Sequence, residues 1–300
     1  MIKKEVSIVI TFFNKSNTIH RAIESVIEQS FLDWEIIIVD DCSEEKLNLD
    51  KYLNFNQIRV IRNKINLGAA QSRQVGLENS VSKYVAFLDA DDWWANSFLA
   101  IMVKELNENE DSAGCYGLIQ EVRGEVVSYR NKYFGLTSIR ETVIGYYRPW
   151  QTSGILWRKK LVGSWGNLKT REDAWFEITT SLNNNNLLFV KDAICYVDKS
   201  GDNHLSLKNK KLNSALNHLE LFIMIYNECW KVISFKQKGI LINRIFQSFW
   251  AIKRLDSITA KKQLLRLKKL NKTFFILESN SFIVRGIIKV LQFSLFKVRV

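Results

Sequence analysis

The sequence predicts an α/β fold with a mostly parallel central sheet, followed by a helical and strongly basic C-terminal region. Two observations lead to this prediction. Over about the first 110 residues, β-branched apolar runs alternate with segments of helical periodicity, which is typical of a parallel sheet wrapped by right-handed crossovers. After about residue 205 the strand patterns fade, and apolar residues recur every three or four positions, as they do along a helix.

The individual elements follow from the local residue patterns. Apolar runs predict four strands, at residues 6–12, 34–39, 58–61 and 84–88. Helical spacing predicts a first helix after Ser16 and Asn17, either of which can cap it, then helices at 69–80 and about 98–106. Farther along, two strands flanking Arg123-Gly124 predict a hairpin, and a helix at 172–182 precedes a last strand at 188–197.

The excess of positive over negative charge comes from the last third of the chain. The 300 residues carry a formal net charge of +12. Residues 204–300 contain 19 Lys or Arg and 4 Asp or Glu, a net of +15, whereas residues 1–203 carry a net of −3. We therefore expect two parts with different partners. The first spans 1–204, with halves at about 1–112 and 113–204, and the second is the helical basic region 205–300.

Three interpretations of the basic region stay open. Its charges are those of ordinary solvated helix faces, or they bind the surface of an anionic membrane, or they bind nucleic acid. The membrane interpretation rests on Lys and Arg lying opposite Phe, Ile and Leu, a pattern that favours anionic headgroups. Basic residues alone are not specific for nucleic acid, so no nucleic-acid partner is expected.

Composition and cysteine spacing exclude several classes of protein. Hydrophobic residues make up 47% of the chain and charged residues 25%, which excludes a disordered or low-complexity protein. The four cysteines lie far apart without a CxxC pair, which excludes a disulfide scaffold and suits a reducing compartment. We expect neither a signal peptide nor a membrane-spanning helix, because the N-terminal apolar run is interrupted by polar residues and no uninterrupted apolar stretch approaches ~18 residues.

Polar clusters follow three of the predicted strands. The first strand ends at 11–14, the second at Asp40-Asp41, and the fourth at Asp89-Ala90-Asp91-Asp92. In an open α/β sheet these carboxyl ends share one edge, where ligands bind. Five unpaired carboxylates would repel one another there, and a divalent cation or a hydrogen-bonding ligand would resolve the conflict. The alternative is that the aspartates only cap the helices that follow.

Six motifs in order resemble glycosyltransferase family 2, the nucleotide-sugar transferases of GT-A fold. They are the opening strand 6–14, the segment 25–31, the segment 35–43, Asn66-Leu67-Gly68 with Ser72-Arg73 and Gly76, the segment 84–92, and Glu172-Asp173. The resemblance covers about residues 5–200. Gln74 and Lys83 depart from the family's pattern, and neither is at a position where the family carries its catalytic residues.

The resemblance implies a Rossmann-like donor site. Its members would be Thr11, Phe13, Asn14, Asp40, Asp41, Asn66, Arg73, Asp89, Ala90 and Asp91. Asp41 would accept a hydrogen bond from N3–H of uracil, a donor that cytosine lacks because its N3 carries no proton. Asp91 and His204 would hold Mn²⁺ or Mg²⁺ under the diphosphate, where the cation stabilises the leaving group.

The family also implies the chemistry of transfer. Asp173 would be the general base that deprotonates the acceptor hydroxyl in an inverting reaction. Glu172 and Trp150 would lie on the acceptor side, with Trp150 stacking on a sugar face. The implied enzyme transfers a sugar from a nucleotide-sugar donor, with a UDP-sugar favoured, to a growing surface glycan on a lipid-linked acceptor. It would work in the cytoplasm, at the inner face of the bacterial membrane.

Each assignment has a structural alternative. Glu172 and Asp173 fit the first turn of a helix, where the macrodipole favours acids. Trp150 fits an apolar core, Arg73 a surface ion pair, and His204 a structural or exposed histidine. For the whole protein the alternatives are a nucleotidyltransferase, which the absence of a Gly-rich loop beside the first strand disfavours, and a non-catalytic basic scaffold for membrane or nucleic acid.

Overall fold

The computed structural model describes residues 4–44, 47–129, 135–145, 148–200 and 207–270, and the account below concerns these ranges. The chain divides into two compact units. The first is drawn from residues 1–143 and 147–202, and the second from residues 144–146 and 203–300.

Ten strands of the described residues form one mixed sheet in the first unit. They are β1 (Val6–Phe12), β2 (Trp34–Asp40), β3 (Ile58–Arg62), β4 (Tyr84–Asp89), β5 (Trp93–Trp94), β6 (Gly114–Arg123), β7 (Val126–Tyr129), β8 (Leu136–Ser138), β9 (Ile155–Arg158) and β10 (Asn186–Asp198). The order is β3-β2-β1-β4-β9-β6-β10-β5, with β7 beside β6 and β8 beside β10.

The sheet is mostly parallel, as the sequence predicts. Strands β3, β2, β1 and β4 all run in the same direction, and β6 and β10 also pair in parallel. Strand β9 is antiparallel to both of its neighbours, β4 and β6. The predicted hairpin is confirmed, since β6 and β7 pair antiparallel on either side of Arg123-Gly124.

Eight α-helices lie within the described residues. They are α1 (Ser16–Ile27), α2 (Ala69–Asn79), α3 (Phe98–Glu108), α4 (Ile139–Gly145), α5 (Glu172–Ser181), α6 (Leu207–Cys229), α7 (Phe235–Leu255) and α8 (Ser257–Leu270). One sequence prediction is wrong here: Ser16 and Asn17 do not cap α1. The cap position is Lys15, which makes no side-chain capping bond, and Ser16 is already helical.

Continuous apolar runs form the inner strands because helices cover both faces of this sheet. All seven residues of β2 are buried, and so are six of the seven in β1. Helix α2 approaches β1 very closely at Gly76. A Cβ atom added there would lie 2.2 Å from Cγ1 of Val9, so only glycine fits without a shift.

The second unit is helical, as predicted for the basic region. Part of the predicted apolar stripe is buried in each of α6 and α7, with Leu219, Ile223, Ile245 and Phe249 at most 3% exposed, whereas other members such as Leu216 are only partly buried. Helix α7 begins with a capping box between Ser234 and Gln237. Within the described ranges, no helix is long and apolar enough to cross a membrane. The basic tail from residue 271 onward lies outside the described residues.

Candidate active site

Three neighbouring strands end at one edge of the sheet. Thr11 of β1 is in register with Asp89 of β4, and Phe12 of β1 with Asp40 of β2. Because the three strands are parallel, the polar residues that follow them meet at this edge. A cleft of about 490 Å³ opens there.

The cleft brings together most of the residues that the family resemblance assigns to the donor. Its lining includes Thr11, Phe13, Asp41, Asn66, Arg73, Asp89, Ala90 and Asp91. Phe13 is 46% exposed, an unusual degree for a large aromatic side chain and one that leaves its ring accessible to a ligand. Lys15, which the sequence analysis does not single out, lines the same cleft.

Asp40 and Asn14 lie beside the cleft and bond to the loop that follows β2. The buried carboxylate of Asp40 pairs with Arg62, and its Oδ1 accepts the N–H of Ser43 at 2.9 Å. Asn14 Oδ1 accepts the N–H of Glu44 at 3.0 Å. Among the described contacts, these two side chains position the loop that carries Asp41, and neither belongs to the cleft lining.

Asp41 organises the loop that leads into α2. Its Oδ1 accepts from Asn63 Nδ2 at 2.9 Å and from the N–H of Leu67 at 2.8 Å, and its Oδ2 accepts the N–H of Gly68 at 2.8 Å. Burial raises the pKa of Asp41, but these bonds and one from Ser72 outweigh that effect, so the net pKa lies below its ordinary value. Asp41 is therefore a carboxylate at neutral pH, and Oδ2 keeps lone-pair capacity for one more donor.

Arg73 is buried and bridges two carboxylates, so the surface ion-pair alternative is wrong. Its guanidinium donates to Asp89 Oδ1 at 2.5 Å and to Glu172 Oε1 at 3.2 Å. It also lies over the ring of Trp165, with Cζ 4.8 Å from the ring centroid. Arg73 thus joins the end of β4 to the first turn of α5.

Asp91 is a partly exposed acid that follows β4 and lines the cleft. Its side chain is 32% exposed and pairs with the ammonium group of Lys15, while its backbone carbonyl accepts from Arg21 at 2.6 Å. Within the described ranges, no three metal-ligating side chains converge on a point. His204, the other predicted metal ligand, lies outside the described residues.

Asp92 holds the segment that follows β4 in place through hydrogen bonds. Its Oδ2 accepts the hydroxyl of Ser153, which in turn accepts the N–H of Asp89 at 3.1 Å, and its Oδ1 accepts the N–H of Asp198 at 3.1 Å. Burial, together with the charge of Asp89, raises the pKa of Asp92 to about 7. The side chain ties β4 to β10 and to the turn before β9.

The predicted base, Asp173, lies in the first turn of α5 beside an arginine. Arg148 NH1 donates to Asp173 Oδ2, and the N–H of Ala174 donates to Asp173 Oδ1 at 2.7 Å. Burial raises the pKa of Asp173, but Arg148 and the Ala174 bond outweigh it, so the net pKa is below its ordinary value. Asp173 is both a first-turn acid and part of a partly buried ion pair.

The pKa of Glu172 is shifted in the opposite direction from that of Asp173. Burial and the charge of Asp173 raise its pKa, and the bond from Arg73 only partly offsets them. Two arginines and four carboxylates consequently form one chain of contacts through this side of the site. The chain runs through Asp89, Arg73, Glu172, Asp173, Arg148 and Glu177.

The expected stacking of Trp150 on an acceptor sugar is wrong for this structure. The side chain is fully buried, so no ring face is open to a ligand. Its indole N–H donates to Glu177 Oε1 at 2.9 Å, and its ring packs beside Tyr116. Trp150 therefore supports the site from the core.

Two charged residues of the site are not predicted from the sequence. Lys15 follows the first strand as an ordinary surface lysine would. Arg148 stands in the aromatic-rich segment 146–150, and this is a usable signal, because a charged side chain among buried aromatics needs a buried partner.

The chain is similar to bacterial glycosyltransferases. It is 40% identical over 95 residues to a putative teichuronic acid biosynthesis glycosyltransferase, TuaG, of Bacillus subtilis, covering 31% of this chain and 38% of the relative. It is 32% identical over 109 residues to UDP-Glc:alpha-D-GlcNAc-diphosphoundecaprenol beta-1,3-glucosyltransferase WfgD of Escherichia coli, covering 36% and 43%. The chain thus spans less than half the length of these relatives.

The fold and a family profile complete the comparison. The crystal structure of S. aureus TarS 1-349 superposes with a TM-score of 0.62 over 91% of this chain and 90% of that one, and at 18% identity this likeness establishes the GT-A fold. The profile of glycosyl transferase family 2 matches residues 7–162, more than half of the chain. The chain belongs to glycosyl transferase family 2.

Proposed function

We propose that the protein is an inverting, divalent-metal-dependent glycosyltransferase that moves a sugar from a UDP-sugar to a hydroxyl of a growing bacterial surface glycan. The observation that carries this proposal is the bridge formed by Arg73. It connects the donor-side carboxylate Asp89 with Glu172, the neighbour of the proposed base Asp173 in the first turn of α5, and this supports a single site formed by the cleft and that base.

The uridine preference rests on Asp41. A carboxylate that stays ionised accepts N3–H of uracil and repels the N3 lone pair of cytosine. Asp41 has a lowered pKa and lines the cleft, and its Oδ2 accepts the N–H of Gly68. Two similar proteins point the same way: WfgD is named for UDP-Glc, and a TarS structure was solved in complex with UDP-GlcNAc.

The residues present fit a hard divalent cation shared with the substrate. Asp91 already pairs with one cationic group, the ammonium of Lys15, and this supports a place for positive charge at its carboxylate. The chain offers few ligands at this point, as is usual for Mg²⁺ or Mn²⁺ bound by one or two carboxylates plus substrate phosphates. Asp91, and His204 by family resemblance, would hold the cation. When bound, it neutralises the charge that develops on the leaving diphosphate.

Asp173 supplies the general base. Its lowered pKa keeps it ionised at neutral pH, which is the form that accepts a proton from the attacking hydroxyl. Glu172, raised in pKa and held by Arg73, lies beside it and is proposed to orient the acceptor. No protein acid is needed for the leaving group, because a nucleoside diphosphate leaves as a stabilised anion.

Helix α8 supports a location at an anionic membrane. Ile258 and Leu265, seven residues apart and on one helix face, are 70% and 64% exposed. Lys261, Lys262 and Lys269 are exposed on the same face. Two apolar side chains flanked by lysines complement a surface of anionic phospholipids. A lipid-linked acceptor, as in the name of WfgD, would be presented at such a surface.

Donor binding and transfer test the enzymatic part. Titration calorimetry with UDP should detect binding that requires Mn²⁺ or Mg²⁺ and is lost in Asp91→Ala. UDP release from UDP-glucose, UDP-galactose and UDP-N-acetylglucosamine is then measured with a synthetic alkyl lipid bearing α-GlcNAc-diphosphate, or with water as acceptor. Asp173→Asn should bind UDP normally and lose UDP release. Absence of both UDP binding and UDP release with every donor would overturn the proposal and favour a non-catalytic scaffold.

Vesicle sedimentation tests the membrane part. The protein should sediment with phosphatidylglycerol vesicles and not with phosphatidylcholine vesicles, and Ile258→Glu with Leu265→Glu should abolish sedimentation. Leu32→Glu is the matched control, since Leu32 is 72% exposed in the first unit. Sedimentation that the α8 double variant leaves unchanged would contradict this role for the helix.

A further inference from the structure

Arg148 is shared between two carboxylates of one helix. Its NH1 donates to Asp173 Oδ2 and its NH2 donates to Glu177 Oε1 at 2.5 Å. Asp173 and Glu177 are four residues apart in α5, so they lie on the same face of the helix. The Arg148 side chain is 14% exposed, so this contact is shielded from water.

Glu177 is buried and only half satisfied. It is 2% exposed, and its Oε1 accepts from both Arg148 and Trp150 Nε1. Its Oε2 has no hydrogen-bond partner among the described residues. Buried carboxylate oxygens are rarely left without a hydrogen-bond donor. We therefore expect Glu177 Oε2 to accept a hydrogen bond in another state of the site.

The shared arrangement hinders the base. A guanidinium on the carboxylate of Asp173 stabilises its ionised form and weakens its tendency to take a proton. General base catalysis gains from a pKa near the working pH, so turnover favours release of Arg148 from Asp173. An arginine has a planar fork of N–H groups that binds both oxygens of one carboxylate. A two-bond pair with Glu177 would satisfy Oε2 and free Asp173 in the same movement.

We propose that Glu177 is a positioning residue whose unpartnered Oε2 receives Arg148 when the acceptor hydroxyl reaches Asp173. This inference rests on the proposed function, in which Asp173 is the base. Arg148 has two positions: shared between the two carboxylates before the acceptor binds, and paired with both oxygens of Glu177 during proton transfer. Trp150 holds Oε1 in place in both positions, because its indole N–H donates to that atom.

The surrounding charges are compatible with such a movement. Asp173 and Arg148 face Glu177, and Glu172 and Arg73 follow next in the same chain of contacts. Burial raises the pKa of Glu177 to about 7. When Arg148 pairs fully with it, the carboxylate is held ionised. The proton that Asp173 accepts therefore does not compete with one on Glu177.

The test variant is Glu177→Gln, which keeps side-chain length and an oxygen for Trp150 but removes the charge that receives Arg148. In the full chain, kcat for UDP release should fall by about tenfold or more, a part of the roughly 10²–10⁴-fold that general base catalysis supplies. The KM for UDP-glucose should stay unchanged. The acid limb of the kcat–pH profile should move to lower pH, because Arg148 stays on Asp173. Glu177→Asp should give an intermediate kcat.

A double variant separates positioning from mere structural support. If Glu177 acts through Arg148, then Glu177→Gln changes kcat little once Arg148→Met is present. Arg148→Met alone should move the acid limb to higher pH. Glu35→Gln is the matched control, since Glu35 is also buried and paired with an arginine but lies at the start of β2. It should keep the wild-type kcat and pH profile.

Two outcomes overturn the inference. One is an unchanged kcat and acid limb in Glu177→Gln, verified as folded by circular dichroism and UDP binding. The other is a fall in kcat that adds fully to that of Arg148→Met. Asp173→Asn distinguishes the levels of failure. If it still releases UDP, the base assignment itself fails, whereas an inactive Asp173→Asn with an unaffected Glu177→Gln leaves the proposed function standing.

Discussion

Asp89 at the end of β4 and Glu172 at the start of α5 are joined by one buried guanidinium, that of Arg73. The donor atoms lie 2.5 Å from Asp89 Oδ1 and 3.2 Å from Glu172 Oε1. The carboxylates compensate the buried positive charge, and each would be left uncompensated without it. The end of β4 and the first turn of α5 are therefore coupled electrostatically through a single residue.

The first prediction concerns this coupling. Arg73→Met should lower the free energy of unfolding by about 1–3 kcal/mol, because it leaves the partly buried carboxylates of Asp89 and Glu172 without their hydrogen-bonded partner. Urea denaturation measures it. The control is Arg266→Met, which removes an arginine from a half-exposed pair with Glu220 and should cost no more than about 1 kcal/mol. Equal losses in both variants would contradict the buried bridge.

The second prediction concerns the fit of α2 against β1. Gly76→Ala should destabilise the protein by about 1–3 kcal/mol, because the new Cβ meets Val9 Cγ1 at 2.2 Å. The combination with Val9→Ala should be less destabilised than the sum of the two single variants, since the shortened side chain makes room. Gly145→Ala is the control, because nothing lies within 4 Å of its added Cβ. Additive losses would argue against the close contact.

The inner sheet and the cleft residues were predictable because they depend on local patterns. Continuous apolar runs marked β1, β2 and β4, and parallel strands must bring Thr11, Asp41 and Asp89 to one edge. Strand β9 was not predicted, because four residues acquire strand geometry only by pairing between β4 and β6. The partners of Trp150 and Arg148 were equally hidden, since both depend on contacts with residues distant in sequence.

The third prediction concerns the cation site. Lys15→Met should tighten the binding of Mn²⁺ alone by about threefold to tenfold, because an ammonium on Asp91 opposes a cation there by on the order of 1 kcal/mol or more. Titration calorimetry with MnCl₂ and no nucleotide measures the affinity. Asp91→Asn should abolish this binding. Lys51→Met, which removes a lysine paired with Glu24 on α1, should leave the affinity unchanged. Equal Mn²⁺ affinities of Lys15→Met and wild type would contradict the competition.

The last prediction is the pH dependence of stability due to Glu177. Its pKa in the folded protein is about 7, against an ordinary value of 4.5, so the unfolded chain releases the proton first as pH rises. Between these values the folded state binds more protons, and the free energy of unfolding falls with rising pH, by about 3 kcal/mol for this group. Glu177→Gln has no such proton, so its stability relative to wild type should rise by a similar amount from pH 4.5 to 7 in urea denaturation. The pKa of Asp92 is also raised, so Asp92 too makes the free energy of unfolding fall with rising pH, and Glu177→Gln keeps this part of the pH dependence. Parallel stability curves for the two proteins would mean that Glu177 is ionised throughout, held so by Arg148.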